Sequence, residues 1–196
     1  MKYWFLVAVS LCSAGSFADA RDALNARLAA MDYLAADFTQ HIRGPRGELI
    51  EQSSGIVRLL RPRFRWEVIE PYPQVIVTED DQLKIYDPDL EQVMVRPLAE
   101  ALVDTPLAVL TQEAVKLGED YEIEQLTPDS FRLHPLSTDA LFDEILLEFG
   151  PDGLETMVIR DHFGQSTDIR FENFAARSMI QSSDFTLDVP PGTDVF

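Results

Sequence analysis

The chain reads as mainly β with a few helices: a meander of short antiparallel strands that curls into a barrel or sandwich. Three observations predict this. Between Gly55 and Gln92, Phe64, Trp66 and Val68 alternate with Arg63, Arg65 and Glu67, and Leu83 and Ile85 flank Lys84. Successive strand side chains point to opposite faces, so this pattern puts aromatics inside and charges in water. Breakers recur at short intervals: Arg61-Pro62, Glu70-Pro71-Tyr72-Pro73, Glu79-Asp80-Asp81-Gln82 and Asp87-Pro88-Asp89. Helical patterns appear at the start of the chain and again after Pro97. A helix within a series of strands interrupts their pairing, so these helices are expected to lie across one face of the sheet as a cover.

The first eighteen residues are predicted to lie outside the fold. Lys2 supplies a positive start and Tyr3 to Leu11 a short apolar run, too short to span a membrane. Small residues around Ala18 and Ala20 offer two cleavage sites, so residues 1–18 read as a secretory signal peptide and 19–196 as one exported domain. Removing Lys2, the only charged residue of that segment, takes the formal net charge from -18 to -19. Cys12, the single cysteine, falls within the signal. Leu11 precedes it where a lipidation motif wants Gly or Ala, so the mature chain is expected to carry neither a lipid anchor nor a disulfide.

Asp19 to Phe38 is predicted to be an amphipathic helix, because Leu24, Leu28, Met31, Ala35 and Phe38 recur at three- and four-residue intervals. Gly44-Pro45-Arg46-Gly47 is a turn, and Glu48 to Leu60 the return strand of a hairpin. Pro62 cannot donate to a ladder and marks an edge, bulge or break. Strands follow at Arg63–Ile69, Val75–Thr78, Leu83–Tyr86 and Gln92–Val95. Leu98 to Val103, which contains Leu102, is helical by propensity, and Thr105-Pro106 starts another helix with Leu107, Val109 and Leu110 on it. Strands resume at Tyr121–Gln125, Ser130–Pro135, Phe142–Phe149, Thr156–Arg160 and Gln165–Phe174, with a hairpin turn at Pro151-Asp152-Gly153. Ile180 to Leu187 reads as the last strand and Val189 to Val195 as an irregular tail.

Charge and motifs exclude several functions. A chain this acidic is a poor ligand for nucleic acid, where phosphate contacts dominate affinity, and anionic membrane surfaces repel it. His41, His134 and His162 are too scattered to ligate a metal, and no cofactor is expected. Asp161-His162 reads as adjacent strand residues whose side chains diverge. Asp87-Pro88-Asp89 misses the spacing of a calcium loop. There is no Gly-X-Ser-X-Gly and no phosphate loop, so an enzyme is not expected.

Several short motifs then occur in a specific order: Ala36-Asp37-Phe38-Thr39-Gln40, Ser54-Gly55, Arg61-Pro62, Phe64-Arg65-Trp66-Glu67 and Tyr86 through Gln92. Thr105-Pro106 follows, then Asp161 with Gly164-Gln165 and Thr167, and finally Phe185 through Pro191-Gly192 and Asp194-Val195. In this order the chain resembles the periplasmic outer-membrane lipoprotein carriers, the LolA family, over nearly all of its mature length. Asp80-Asp81 departs from the family pattern, where Asp-Gly is common. The resemblance implies an incomplete antiparallel barrel with helices forming a lid over a hydrophobic cavity. It implies a periplasmic carrier that takes lipoprotein acyl chains from an inner-membrane ABC transporter and delivers them to an outer-membrane lipoprotein acceptor. A lipid-anchored acceptor, or a module for another apolar ligand, is the alternative.

By the same resemblance, the arginine that hydrogen-bonds to the lid falls on Arg61 and a sensitive aromatic on Phe64. The residues expected to line the cavity or lid are Arg61, Phe64, Trp66, Leu83, Ile85, Leu102, Leu107 and Leu110. Read from the residues alone, Phe64 and Trp66 fit an ordinary core equally well. Leu107, Val109 and Leu110 fit either a buried short helix or the lipid-facing side of a lid. A monomer is expected, steered by its acidic surface toward more basic partners.

Overall fold

The computed structural model describes residues 16–98, 101, 108–111 and 114–196. Helix α1 (Ser16–Ala30) leads into six strands: β1 (Tyr33–Arg43), β2 (Leu49–Leu60), β3 (Arg63–Glu70), β4 (Gln74–Glu79), β5 (Gln82–Asp87) and β6 (Gln92–Pro97). Short helices α2 (Ala108–Thr111) and α3 (Ala114–Asp120) follow. Strands resume with β7 (Tyr121–Thr127), β8 (Ser130–Pro135), β9 (Glu144–Gly150), β10 (Gly153–Arg160) and β11 (Ser166–Glu172), and β12 (Asp194–Val195) comes last.

The twelve strands form one sheet in the order β12-β6-β5-β4-β3-β2-β1-β11-β10-β9-β8-β7. Two hairpin meanders are joined where β11 pairs antiparallel with β1, and the two outermost strands stay unpaired with each other. The result is an open barrel. Its inner face follows from the register, since directly paired residues share a face. Leu34, Leu59 and Phe64 form one row; Ala36, Val57, Trp66, Ile76 and Ile85 form the next. Phe38 pairs with Gly55 on one side and Phe171 on the other. Glycine at 55 is required sterically: a Cβ there would stand 2.9 Å from the Phe38 ring and 1.9 Å from the Glu67 carbonyl oxygen.

Helices α1 and α3 lie against the inner face at one end. Leu24 and Leu28 of α1 and Leu117 of α3 are fully buried in the same apolar cluster as Leu34, Leu59 and Phe64. Arg21 of α1 donates to the Gly118 carbonyl, which ties the two helices together. On the outer face a second cluster forms from Val75, Tyr86 and Val93, with Leu187 packed on it. Arg65 donates to the Thr186 carbonyl at 3.5 Å, and Arg63 stands 4.9 Å over the Phe185 ring, so the last segment is laid across β3 to β5.

Four expectations are corrected. The first helix stops at Ala30, and Tyr33 to Phe38 belong to β1. Leu34, Ala36 and Phe38 alternate onto the inner face, and that two-residue period overrides the helical spacing of Ala35 and Phe38. Ile180 to Leu187 is not a strand but contains a 3₁₀ turn at Ser182–Phe185. Ser182, Ser183 and Asp184 favour local turns, and Asp184 accepts the Gln181 N–H at 2.7 Å. The tail is not wholly irregular, because β12 pairs parallel with β6 along an otherwise open sheet edge. Asp161 and His162 lie in the turn after β10, where the Asp161 carboxylate accepts the N–H groups of Phe163 and Gln165.

The Asp80-Asp81 turn has both residues at positive φ, 50° and 59°, as a type I′ hairpin requires. Leu98 and Ala101 are helical; the rest of the span predicted at 98–103, and Thr105-Pro106, lie outside the described residues.

Candidate functional site

Arg61 and Pro62 form the turn between β2 and β3, at the barrel end that the helices cover. The last carbonyls of a helix have no partner within it, and the helix dipole makes them attractive to a cation. Arg61 supplies that cation. Its Nη1 donates to the Leu28 carbonyl in the last turn of α1 at 2.9 Å, and its Nε donates to the Leu110 carbonyl of α2 at 3.1 Å. One guanidinium therefore holds two helices to one strand turn. Hydrogen bonds to a charged group contribute roughly 1.5–3 kcal/mol each.

Burial pushes the Arg61 guanidinium below the ordinary arginine range, while the nearby Asp32 carboxylate opposes that shift. Arginine stays charged even so. Asp32 is itself shared, with Arg177 at 3.2 Å. The third nitrogen of Arg61, Nη2, is buried and has no hydrogen-bond partner among the described residues.

Above Arg61 the inner face is aromatic. Phe64 is 1% exposed, and its N–H donates to the Thr78 hydroxyl at 2.7 Å. Trp66 is 7% exposed and stacks on Phe38 with ring centroids 3.8 Å apart. It meets Phe171 edge-on at 6.3 Å. An edge-on pair such as Trp66–Phe171 adds about 0.5–1.5 kcal/mol beyond burial.

Of the residues singled out in the sequence, Phe64, Trp66 and Leu110 meet in the main apolar cluster, and Arg61 binds the backbone of two helices that pack on it. Leu83 is buried on the same face, opposite Thr78, and Ile85 is half-buried opposite Ile76; both stand outside that cluster. Leu102 and Leu107 lie outside the described residues. Sequence reasoning did not single out Phe38, Phe171, Leu24 or Leu28 for the site. Gly55, the small residue that gives Phe38 its room, was the available signal for one of them.

At the other end of the barrel, a groove of about 280 Å³ opens on the inner face. Trp66, Val68 and Ile76 make its floor, and Gln40, Ser53 and Asp87 stand around it. The Ser53 hydroxyl is buried and has no hydrogen-bond partner among the described residues. Among the described residues no group of His, Cys, Asp and Glu is placed to hold a metal ion, and no helix is long and apolar enough to cross a membrane.

Comparison with known proteins fits this architecture. The family model for the outer membrane lipoprotein carrier protein LolA matches residues 29–188. An outer-membrane lipoprotein carrier protein of Chromohalobacter salexigens is 39% identical over 88% of this chain and 84% of its own length. The one from Hahella chejuensis is 36% identical over 100% of this chain and 98% of its own. Among solved structures, a LolA superfamily protein from Nitrosomonas europaea has a TM-score of 0.52 at 12% identity, covering 89% of this chain and 99% of that one; at that identity the likeness concerns the fold alone. A sheet left open at both edges, helices laid over one end and homology along nearly the whole chain lead to one conclusion: this protein belongs to the LolA family of outer membrane lipoprotein carriers.

Proposed function

We propose that the protein is a periplasmic carrier that binds the acyl chains of lipoproteins released from the inner membrane and delivers them to an outer-membrane acceptor. The observation that carries this reading is the pair of hydrogen bonds that Arg61 donates to the Leu28 carbonyl of α1 and the Leu110 carbonyl of α2. Burying a methylene is worth about 0.8 kcal/mol, so one long acyl chain is worth roughly 10 kcal/mol. Such a chain leaves a membrane only for a surface that replaces the lost apolar contact. The apolar side chains between helices and sheet supply that surface once the helices part.

Arg61 is the latch in this reading. In the empty form it holds the cover shut through two backbone carbonyls. Loading separates helices from sheet, breaks those bonds and leaves lipid on the exposed apolar rows. Because the bonds re-form on closing, the lipid is held less tightly than a rigid pocket would hold it, and it can be handed on. No reaction chemistry is assigned to the protein.

The mature domain is taken to run from residue 19. Ala20 is buried in the main cluster, so cleavage after Ala18 keeps a core residue that cleavage after Ala20 would remove. The donor is an inner-membrane ABC complex and the acceptor a more basic protein, met with the help of complementary charge. The purified mature protein, mixed with membranes that hold labelled lipoprotein, should bring label into the soluble fraction. Label that stays wholly with the membranes would refute the proposal.

A further inference from the structure

Apolar side chains can hold hydrocarbon, but they do not distinguish an acyl chain from any other alkyl chain. Arg61 carries a group that can. Its Nε and Nη1 are engaged by the Leu110 and Leu28 carbonyls. Its Nη2 carries two further N–H groups, is shut away from solvent, and has no partner among the described residues. A guanidinium has donors only, so these N–H groups call for an oxygen acceptor, which a ligand carbonyl can supply. The turn that carries Arg61 is flanked on the inner face by Leu59 and Phe64, which pair directly across β2 and β3.

The surroundings choose among acceptors. An anion would lose its water in an apolar place, and it would also face the Asp32 carboxylate, close enough to act on Arg61. A neutral carbonyl oxygen meets neither objection. We infer that Arg61 Nη2 recognises the ester or amide carbonyl oxygens of acylated cargo, so that the protein selects acyl linkages and not hydrocarbon alone. This rests on the carrier reading above. It also suits the latch: Nη2 is covered in the closed form and becomes reachable when Nε and Nη1 release the helices.

The test compares two probes on the full mature protein: a fluorescent dihexadecanoyl glycerol and its dihexadecyl ether counterpart, which lacks the carbonyls. Each affinity is referred to partitioning of the same probe into phosphatidylcholine vesicles. The ester is expected to bind about tenfold more tightly than the ether, the scale of one hydrogen bond to a charged group. Arg61→Leu is expected to bring that ratio to about one. Equal binding of the two probes by the unmodified protein overturns the inference and leaves the carrier reading intact. An ester preference that survives in Arg61→Leu overturns the assignment to Arg61. Failure of both probes to bind removes the carrier reading and this inference with it. Should Arg61→Leu not fold, the ester carbonyl stretch decides: an unshifted infrared band on the unmodified protein overturns the inference.

Discussion

The two ends of the barrel interior are built on the same strands and differ in what those strands carry. Along the inner face of β2, from the helix-covered end outward, the residues are Leu59, Val57, Gly55, Ser53 and Glu51; along β1 they are Leu34, Ala36, Phe38 and Gln40. The period-two alternation never breaks. What changes is polarity, from aliphatic through aromatic to hydroxyl, amide and carboxylate. At the covered end apolar side chains close under helices tied by Arg61. At the other end a groove with polar groups around it opens to solvent. The Phe38–Trp66–Phe171 layer stands between them, and Trp66 belongs to both. The difference teaches that one sheet can hold an apolar interior under its helices at one end and a polar groove at the other, with an aromatic layer between them.

The strongest way to break this comparison is to remove the boundary. Trp66→Ala deletes the ring that touches Phe38 and Phe171, and should lower unfolding free energy by about 3–5 kcal/mol in urea titration. A loss below about 1 kcal/mol would mean that the layer is not a packed boundary. Next comes the latch. Arg61→Leu should still load lipoprotein but transfer it to the acceptor about tenfold more slowly, the scale of one lost favourable bond. Transfer at the normal rate would refute the latch.

The groove end should respond in the opposite sense. Ser53→Ala removes a buried hydroxyl that has no partner among the described residues, so stability should stay level or rise by up to about 1 kcal/mol. A clear loss would show that the hydroxyl is satisfied in solution.

The smallest effect concerns the turn after β10, at the same end as the groove. The Ala140 carbonyl and the Asp143 carboxylate both accept from the His162 ring and hold its pKa above the usual histidine value. Because the folded value is raised, the stabilisation is fully present below the unfolded pKa of about 6.5. It is lost as pH rises through the folded pKa. NMR titration should place His162 above a free histidine, and Asp143→Asn should lower it part of the way, since the Ala140 carbonyl remains; no change on that substitution would remove the share assigned to Asp143.

Much of the fold was legible. The alternation of Phe64, Trp66 and Val68 named both the strand and its inner face, and the breakers at Arg61-Pro62 and Pro71-Tyr72-Pro73 fell at the turns. The end of α1 was not legible, because Ala35 and Phe38 continue a helical period while Leu34, Ala36 and Phe38 satisfy a strand period within the same few residues. Ile180 to Leu187 looked like a strand because apolar residues flank its serines, yet those residues are used to cover the outer face of β3 to β5. Of the site, Arg61 was found through resemblance to a family. Its partners were not legible, since Leu28 and Leu110 take part through carbonyl groups that every residue has.

The amino-acid sequence by itself determined which faces are oily, where the chain turns, and that one arginine sits at the break between two strands, because side-chain period and proline geometry act over a few neighbouring residues. Only the tertiary structure decided that the sheet stays open, that two distant helices converge on Arg61, and that Phe38 crosses Gly55 to meet Trp66. Those facts depend on contacts between residues far apart in the chain, and no local pattern encodes the register that brings them together.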